Sequence, residues 1–244
     1  MDRRKFFAFL GAGAASIFAP KSFASTTHES PVSRENVSRS MGTPAPILSD
    51  YGEIYEYPKP GYDYVIGIDV GELSVPSAIS VFRIGDKDEP MVQVAEFVGP
   101  GYGSGKGNVL KAAIAAGKKY GEYLPDGPLF SIEQITSCGD LLQHQLKFEG
   151  FKRFYKSVEY RPGYPSKPKE GWYSKAWSRP MMIDRFINAY RKKDAIVNSS
   201  ALRENIEFAK CDGKVLTTLN RDGYGRFHAA AIAVNSAPTI DGNG

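Results

Sequence analysis

Cysteine is scarce in this sequence, and so is histidine. The 244 residues include two cysteines, Cys138 and Cys211, and three histidines. Two cysteines allow at most one disulfide and provide no pair at metal-binding spacing, which excludes a disulfide-stapled fold and a cysteine-based zinc site. A nucleotide-binding P-loop is also missing. The glycine-rich segment 99–107 has Pro100 where that motif needs its first glycine, and Gly107 where it needs Ser or Thr.

No apolar run at the N-terminus is long enough to anchor the chain in a membrane. The apolar stretch 7–19 is too short to span a bilayer stably. It follows Arg3-Arg4, and Ser22-Phe23-Ala24 offers a small-x-small cleavage site after it. Residues 1–24 are therefore interpreted as a twin-arginine export leader, which predicts a periplasmic protein. The alternative is a chance basic and apolar start, or a wrongly chosen start codon.

The rest of the composition is that of a globular protein with a mild basic excess. Hydrophobic residues make up 42% of the chain, enough for a sizeable core, and the net charge of +4 permits an anionic partner. Residues 25–56 are rich in Ser, Thr, Pro and Asn, which predicts a disordered linker. We expect a folded domain over residues 57–236, followed by a tail at 237–244.

A buried strand that ends on a carboxylate is the most informative element. Residues 64–70, Tyr-Val-Ile-Gly-Ile-Asp-Val, form a short apolar run that is broken by Asp69. A carboxylate at the end of a buried strand is costly unless a metal or ligand pairs with it. The alternative is an aspartate that caps a turn. Strands predicted over 78–84 and 92–98 follow, and their short connections indicate an antiparallel meander.

A second predicted strand, 129–133, also ends on a carboxylate, Glu133. A helix over 138–149 and a strand over 153–156 complete a β-α-β step. Because right-handed crossovers align the carboxyl ends of parallel strands, Glu133 should lie at the same sheet edge as Asp69. The alternative for Glu133 is a solvated residue that precedes a turn.

Carboxylates at neighbouring strand ends predict a metal site. Hard oxygen ligands suit Mg²⁺ or Mn²⁺ and not zinc. Two such ions about 3.5–4 Å apart stabilise the attacking and leaving oxygens in phosphodiester cleavage. Asp69 and Glu133 are thus the expected catalytic ligands of a two-metal site.

Positive charge is concentrated in one region. Between Lys147 and Lys193 there are thirteen Lys and Arg against four Asp and Glu, a net charge of +9, and aromatic residues are interleaved. Basic side chains neutralise phosphates and aromatic rings stack on bases, so DNA is the predicted partner. The expected contacts are Lys152, Arg153, Lys156, Lys167, Lys169, Lys175 and Arg179. The alternative is a solvated basic face around ordinary core aromatics.

Several motifs then occur in a specific order. They are Tyr57-Pro58-Lys59-Pro60-Gly61 before the Asp69 strand, Gly171-Trp172-Tyr173, Ser178-Arg179-Pro180, and Leu202-Arg203-Glu204 with Phe208. Over about residues 57–233 this order resembles the large terminase subunit of tailed phages, from the passage out of its ATPase domain through its nuclease domain.

The resemblance implies an α/β, RNase H-like fold, with a mixed five-stranded sheet flanked by helices. It also implies a metal-dependent endonuclease that cuts concatemeric double-stranded DNA during packaging, with Asp69 and Glu133 as metal carboxylates. Such a nuclease would work in the cytoplasm, which conflicts with the export leader. Its partners would be a separate packaging ATPase, a small terminase subunit or a portal.

The sequence departs from the family's pattern in two places. No Walker A motif lies upstream, so the ATPase domain is expected to be absent. The family usually carries two adjacent aspartates before a terminal Ala-rich helix, and Tyr224-Gly225 occupies their places here. Asp222 is the nearest carboxylate and is the expected third ligand, because Gly223 and Gly225 give the backbone freedom to bring it in. His228 is another candidate, although a hydrogen-bonded histidine on a helix face is the commoner interpretation. A catalytically impaired DNA-binding remnant, or an exported protein that reuses the fold, are the alternatives to a working nuclease.

Overall fold

A computed structural model describes residues 47–49, 52–72, 74–85, 89–102, 109–158, 168–175, 178–209 and 221–238. The predicted export leader, most of the predicted linker, Lys167 and Cys211 lie outside these residues.

The described residues form nine strands in two sheets. The strands are β1 (Ile47–Ser49), β2 (Gly52–Ile54), β3 (Asp63–Asp69), β4 (Ser77–Ile84), β5 (Met91–Gly99), β6 (Leu129–Ile132), β7 (Lys156–Ser157), β8 (Lys169–Glu170) and β9 (Ala195–Ile196). The larger sheet has the order β1-β2-β5-β4-β3-β6, with β9 paired to β5, and β7 pairs with β8 in the smaller sheet. Strands β3, β4 and β5 are antiparallel, as the meander predicts, and β6 runs parallel to β3.

Five helices lie within the described residues. They are α1 (Val109–Tyr120), α2 (Ser137–Phe148), α3 (Ser178–Lys192), α4 (Ser200–Phe208) and α5 (Arg221–Ser236). The predicted mixed sheet with flanking helices is confirmed, and short edge strands extend it beyond the five strands expected. Among the described residues, no helix is both long enough and apolar enough to cross a membrane.

Side-chain alternation along β3 separates two cores. Tyr64, Ile66 and Ile68 pack in a cluster with buried residues of α1 and α2, whereas Val65 packs with buried residues of α3, α4 and α5. Gly67 lies on the second face, because a Cβ there would meet the Ala229 carbonyl oxygen of α5 at 2.2 Å. Successive side chains point to opposite faces of a strand, so position 69 faces α5 as positions 65 and 67 do.

Two local predictions differ from the structure. Of the strand expected over 153–156, Phe154 forms a single bridge to Phe130, and Lys156 belongs to β7 of the smaller sheet. The larger sheet begins at Ile47, ahead of the expected domain start at position 57. Helix α4 is capped by Ser199, whose hydroxyl oxygen accepts a hydrogen bond from the Leu202 backbone N–H.

Candidate metal centre

The two predicted carboxylates lie side by side at one edge of the sheet. In the parallel register of β3 and β6, Ile68 is opposite Ile132, so Asp69 and Glu133 are the next residues on each strand. The Glu133 backbone N–H donates a hydrogen bond to the Ile68 carbonyl oxygen at 2.9 Å, which continues the pairing by one step. The juxtaposition expected from the sequence is therefore present in the structure.

A third side chain, His228, reaches the same place from α5. One ligand atom from each of Asp69, Glu133 and His228 lies within 4.8 Å of the others. Helix α5 can come this close because Gly67 has no side chain to hold it away from β3. The Ser131 and Ser236 hydroxyls, 2.6 Å apart, also join β6 to α5.

Glu133 and His228 are buried and Asp69 is partly buried, and the cluster is incompletely paired. His228 is fully buried and Glu133 is 8% exposed. Neither ring nitrogen of His228 has a hydrogen-bond partner among the described residues, and the same holds for Glu133 Oε1. The closest approach between the two, His228 Nδ1 to Glu133 Oε1, is 3.9 Å, which is too long for a hydrogen bond. The expectation that His228 is a hydrogen-bonded histidine is therefore not met.

Burial dominates the electrostatics of this cluster. It raises the pKa of Asp69 well above its usual value, and the neighbouring Glu133 raises it further. Burial also lowers the pKa of His228 to about 4, so the imidazole is neutral at physiological pH. The guanidinium of Arg179, whose Nη2 lies 3.9 Å from Glu133 Oε1, opposes the rise at Asp69 but does not cancel it.

The first turn of α5 carries the other predicted candidates. Asp222 is exposed and is not a member of the cluster. Gly225 lies beside the cluster, since a Cβ at position 225 would be 3.4 Å from Asp69 Oδ2. Tyr224 packs its ring against His228, with the ring centroids 4.2 Å apart. Position 225, and not 222, is thus the place from which a further carboxylate would enter this site.

The cluster suits a divalent cation. Unpaired buried oxygen and nitrogen atoms are rare in folded proteins, and a metal would satisfy those of Glu133 and His228 together. Carboxylates suit Mg²⁺ and Mn²⁺, whereas a neutral imidazole is a ligand typical of transition metals. The sequence alone favours an ordinary helix-face histidine at position 228, because the burial of a helix face depends on tertiary packing.

The residues predicted to contact DNA fall in different environments. Arg153 donates hydrogen bonds from both Nη atoms to the Asp63 carboxylate, at 2.7 and 2.6 Å, and so ties β3 to the segment after α2. Lys152 is exposed, 3.8 Å from an Asp126 oxygen. Lys156 is exposed in β7. Lys169 and Lys175 line a cavity together with Trp172. Arg179 is in contact range of the cluster, with its Nη2 3.9 Å from Glu133 Oε1.

No protein-family model and no curated protein sequence matches this chain. Solved structures do match it in fold. The large terminase nuclease from thermophilic phage G20c has a TM-score of 0.53 at 14% identity, over 79% of this chain and 91% of that one. The Thermus phage P74-26 large terminase nuclease domain also has a TM-score of 0.53 at 14% identity, over 79% and 88% of the two chains. The G20c nuclease has also been solved with bound magnesium, zinc and cobalt. The resemblance seen in the sequence is confirmed at the level of the fold: this chain has the RNase H-like fold of large terminase nuclease domains.

Proposed function

We propose that this protein is a metal-dependent nuclease that hydrolyses phosphodiester bonds in DNA. The observation that carries the proposal is the cluster of Asp69, Glu133 and His228, in which two strand-end carboxylates meet a buried, unpaired imidazole. The fold likeness to terminase nucleases, Arg179 beside Glu133, and the cationic lining of the cavity that contains Trp172 support DNA as the substrate.

Each residue of the cluster has a distinct task in this proposal. Asp69 and Glu133 supply anionic oxygen ligands, and His228, neutral because its pKa is about 4, keeps a nitrogen lone pair for the metal. The bound metal would supply an activated water and would neutralise the charge that develops on the phosphate. Arg179 lies at the rim, where its planar guanidinium can hold a phosphate oxygen against the cluster.

The ligand set favours Mn²⁺ over Mg²⁺. Both ions accept carboxylate oxygens, but Mg²⁺ binds through oxygen ligands and keeps much of its water, whereas imidazole suits transition metals. The two-metal arrangement remains a prediction that needs a further ligand. Asp222, on the first turn of α5, is exposed and lies outside the cluster, so it does not supply that ligand in this structure.

The test is a plasmid-nicking assay on the full chain with Mn²⁺, Mg²⁺ or EDTA. We expect cleavage with Mn²⁺ that EDTA abolishes and that Asp69→Asn reduces by at least about a hundredfold. Asp222→Asn is the matched control, because it removes an exposed carboxylate outside the cluster. Cleavage by Asp69→Asn at the wild-type rate would contradict the proposal, and equal loss in both variants would restore Asp222 as a ligand.

A second candidate is a DNA-binding protein that does not cut. Gly225 favours it, because the position closest to Asp69 on α5 has no side chain to complete a second metal site. This candidate predicts salt-sensitive DNA binding that is equal with Mn²⁺ and with EDTA, and no nicking under any condition.

The place of action and the partners are separate proposals. A packaging role implies the cytoplasm and a packaging ATPase, small terminase subunit or portal as partner, whereas a working leader at residues 1–24 implies the periplasm. Cell fractionation with N-terminal sequencing distinguishes them. A periplasmic chain that starts at Ser25 would support export, and an intact cytoplasmic chain would support action on intracellular DNA.

A further inference from the structure

A cavity of about 450 Å³ lies between the β7–β8 sheet and α3. Its lining includes three aromatic and three cationic residues, which are Tyr155, Trp172, Tyr173, Lys169, Lys175 and Arg185. No carboxylate is among the described residues that line it. Volumes of about 300–1,000 Å³ are typical of small-molecule sites, so the cavity is large enough for one planar heterocycle with its sugar and phosphate.

The rings are arranged for stacking. Tyr155 and Trp172 lie with their centroids 5.5 Å apart and their planes inclined by 30°. The ammonium of Lys169 lies 5.7 Å from the centroid of the Tyr173 ring, so positive charge lies directly beside the aromatic face. A nucleobase offers the planar π-face that suits these rings.

The backbone connects this cavity directly to the metal cluster. Trp172 donates its backbone N–H to the Ile132 carbonyl at 2.8 Å, and its carbonyl accepts from the Gln134 N–H at 2.8 Å. These two bonds lie on either side of Glu133. On the other wall, Ser178 lines the cavity, and the next residue, Arg179, lies 3.9 Å from Glu133. A nucleotide in the cavity would therefore be an immediate neighbour of a phosphate at the cluster.

We propose that this cavity holds an unpaired nucleobase, and that the protein selects DNA with a single-stranded segment next to the phosphate it contacts. The inference deepens the proposed nuclease function and rests on it for the identity of the neighbouring site. In an intact duplex both faces of each base are covered by stacking, so only a base that has left the stack can lie against these rings. Sequence-tolerant stacking on aromatic side chains within a basic groove is a general mode of single-strand binding.

The experiment measures binding by the full chain in EDTA, where cleavage does not interfere. The probes are a blunt duplex, the same duplex with a short single-stranded tail that carries 2-aminopurine, and a matching tail whose nucleotides are abasic. We expect the tailed duplex to bind at least about fivefold more tightly than the blunt duplex, with quenched 2-aminopurine fluorescence. The abasic tail keeps its phosphates but should bind like the blunt duplex.

The variants are Tyr173→Ala and Lys169→Gln, with Lys118→Gln as the matched control, since Lys118 is an exposed lysine of α1 outside the cavity. Tyr173→Ala should weaken tailed-duplex binding by about 5- to 100-fold and restore the fluorescence. Lys169→Gln should weaken it less, and Lys118→Gln should leave it unchanged. Circular dichroism and the melting temperature of each variant identify any loss of folding.

Equal binding of the abasic and natural tails would overturn the inference, because the cavity would then recognise phosphates alone. Unchanged quenching in Tyr173→Ala would overturn it as well. Binding in EDTA separates this result from the proposed function. Base-dependent binding without metal-dependent nicking would refute the proposed nuclease activity and support the nucleobase site. Metal-dependent nicking without a preference for the tailed duplex would support the nuclease activity and refute the nucleobase site.

Discussion

Replacing Asp69 by asparagine should make the metal-free protein more stable at alkaline pH. The ligand atoms of Asp69 and Glu133 lie within 4.8 Å of each other. Two unit charges at that separation repel by about 3–4 kcal/mol at an effective dielectric constant of about 20. Arg179 offsets part of this repulsion. We therefore expect Asp69→Asn to raise the free energy of unfolding by about 1–3 kcal/mol, or the melting temperature by about 2–10 °C.

The pH dependence has a definite sign. Burial and Glu133 raise the pKa of Asp69 in the folded protein above its unfolded value. The stability linked to this carboxyl is therefore fully present below the unfolded pKa, about 3.9, and is lost as pH rises through the folded pKa. The advantage of Asp69→Asn should be large at pH 8 and should disappear near pH 4.

The assay is thermal unfolding followed by circular dichroism, at pH 8 and pH 4, in EDTA and then in Mn²⁺. Mn²⁺ at 1,000 times its Kd should reverse the order of the two proteins at pH 8, because it stabilises only the form that binds it, by about 4.1 kcal/mol, which exceeds the advantage of Asp69→Asn. Asp222→Asn should leave the melting temperature unchanged at both pH values. A lower melting temperature for Asp69→Asn in EDTA at pH 8 would refute the reasoning, since the carboxylate would then stabilise the fold.

Three further predictions test the parts that build the site. His228→Ala should weaken Mn²⁺ binding by at least about tenfold in isothermal titration calorimetry, because it removes a ligand. Gly67→Ala should lower the free energy of unfolding in urea by about 1–3 kcal/mol or more, since its Cβ would lie 2.2 Å from the Ala229 carbonyl oxygen. Arg226→Met should cost about 3–5 kcal/mol at pH 7, because it leaves the buried Glu96 carboxylate, 2.7 Å from Arg226 Nε, without its cation. That loss should shrink in acid, where Glu96, whose pKa burial already raises, takes up a proton.

The parts of the site that are set by strand order were predictable from the sequence. Two short apolar runs, each ending on a carboxylate and joined through a helix, specify parallel strands with aligned ends, and Asp69 and Glu133 do meet there. The alternation of side chains along β3 carries further information. Gly67 and Asp69 share one face of β3, and a glycine within a buried strand indicates the close approach of another element.

The parts that depend on distant partners were not predictable. Arg153 is counted among DNA contacts by charge alone, yet its partner, Asp63, is 90 residues away in the sequence. Glu96 is buried in β5, and its cation, Arg226, arrives from α5, 130 residues later. Nothing in the local pattern distinguishes these paired charges from solvated ones, because the pairing exists only after the helices have packed on the sheet.

Without carboxylates at positions 224 and 225, the site still has three candidate ligands, but its chemistry is different. A carboxylate at 225 would add a third anionic oxygen beside Asp69, since that position's Cβ would lie 3.4 Å from Asp69 Oδ2. His228 lies three residues later, so it occupies the same face of the helix and replaces that oxygen by a neutral nitrogen. Tyr224 packs against the imidazole and helps to keep it dry. A cluster with two negative charges and one nitrogen attracts a hard ion less strongly than one with three carboxylates, and it discriminates in favour of transition metals. A histidine at this place also avoids the repulsion that a third carboxylate would add to the metal-free fold. A buried histidine is therefore tolerated without a metal, whereas a buried aspartate would need one.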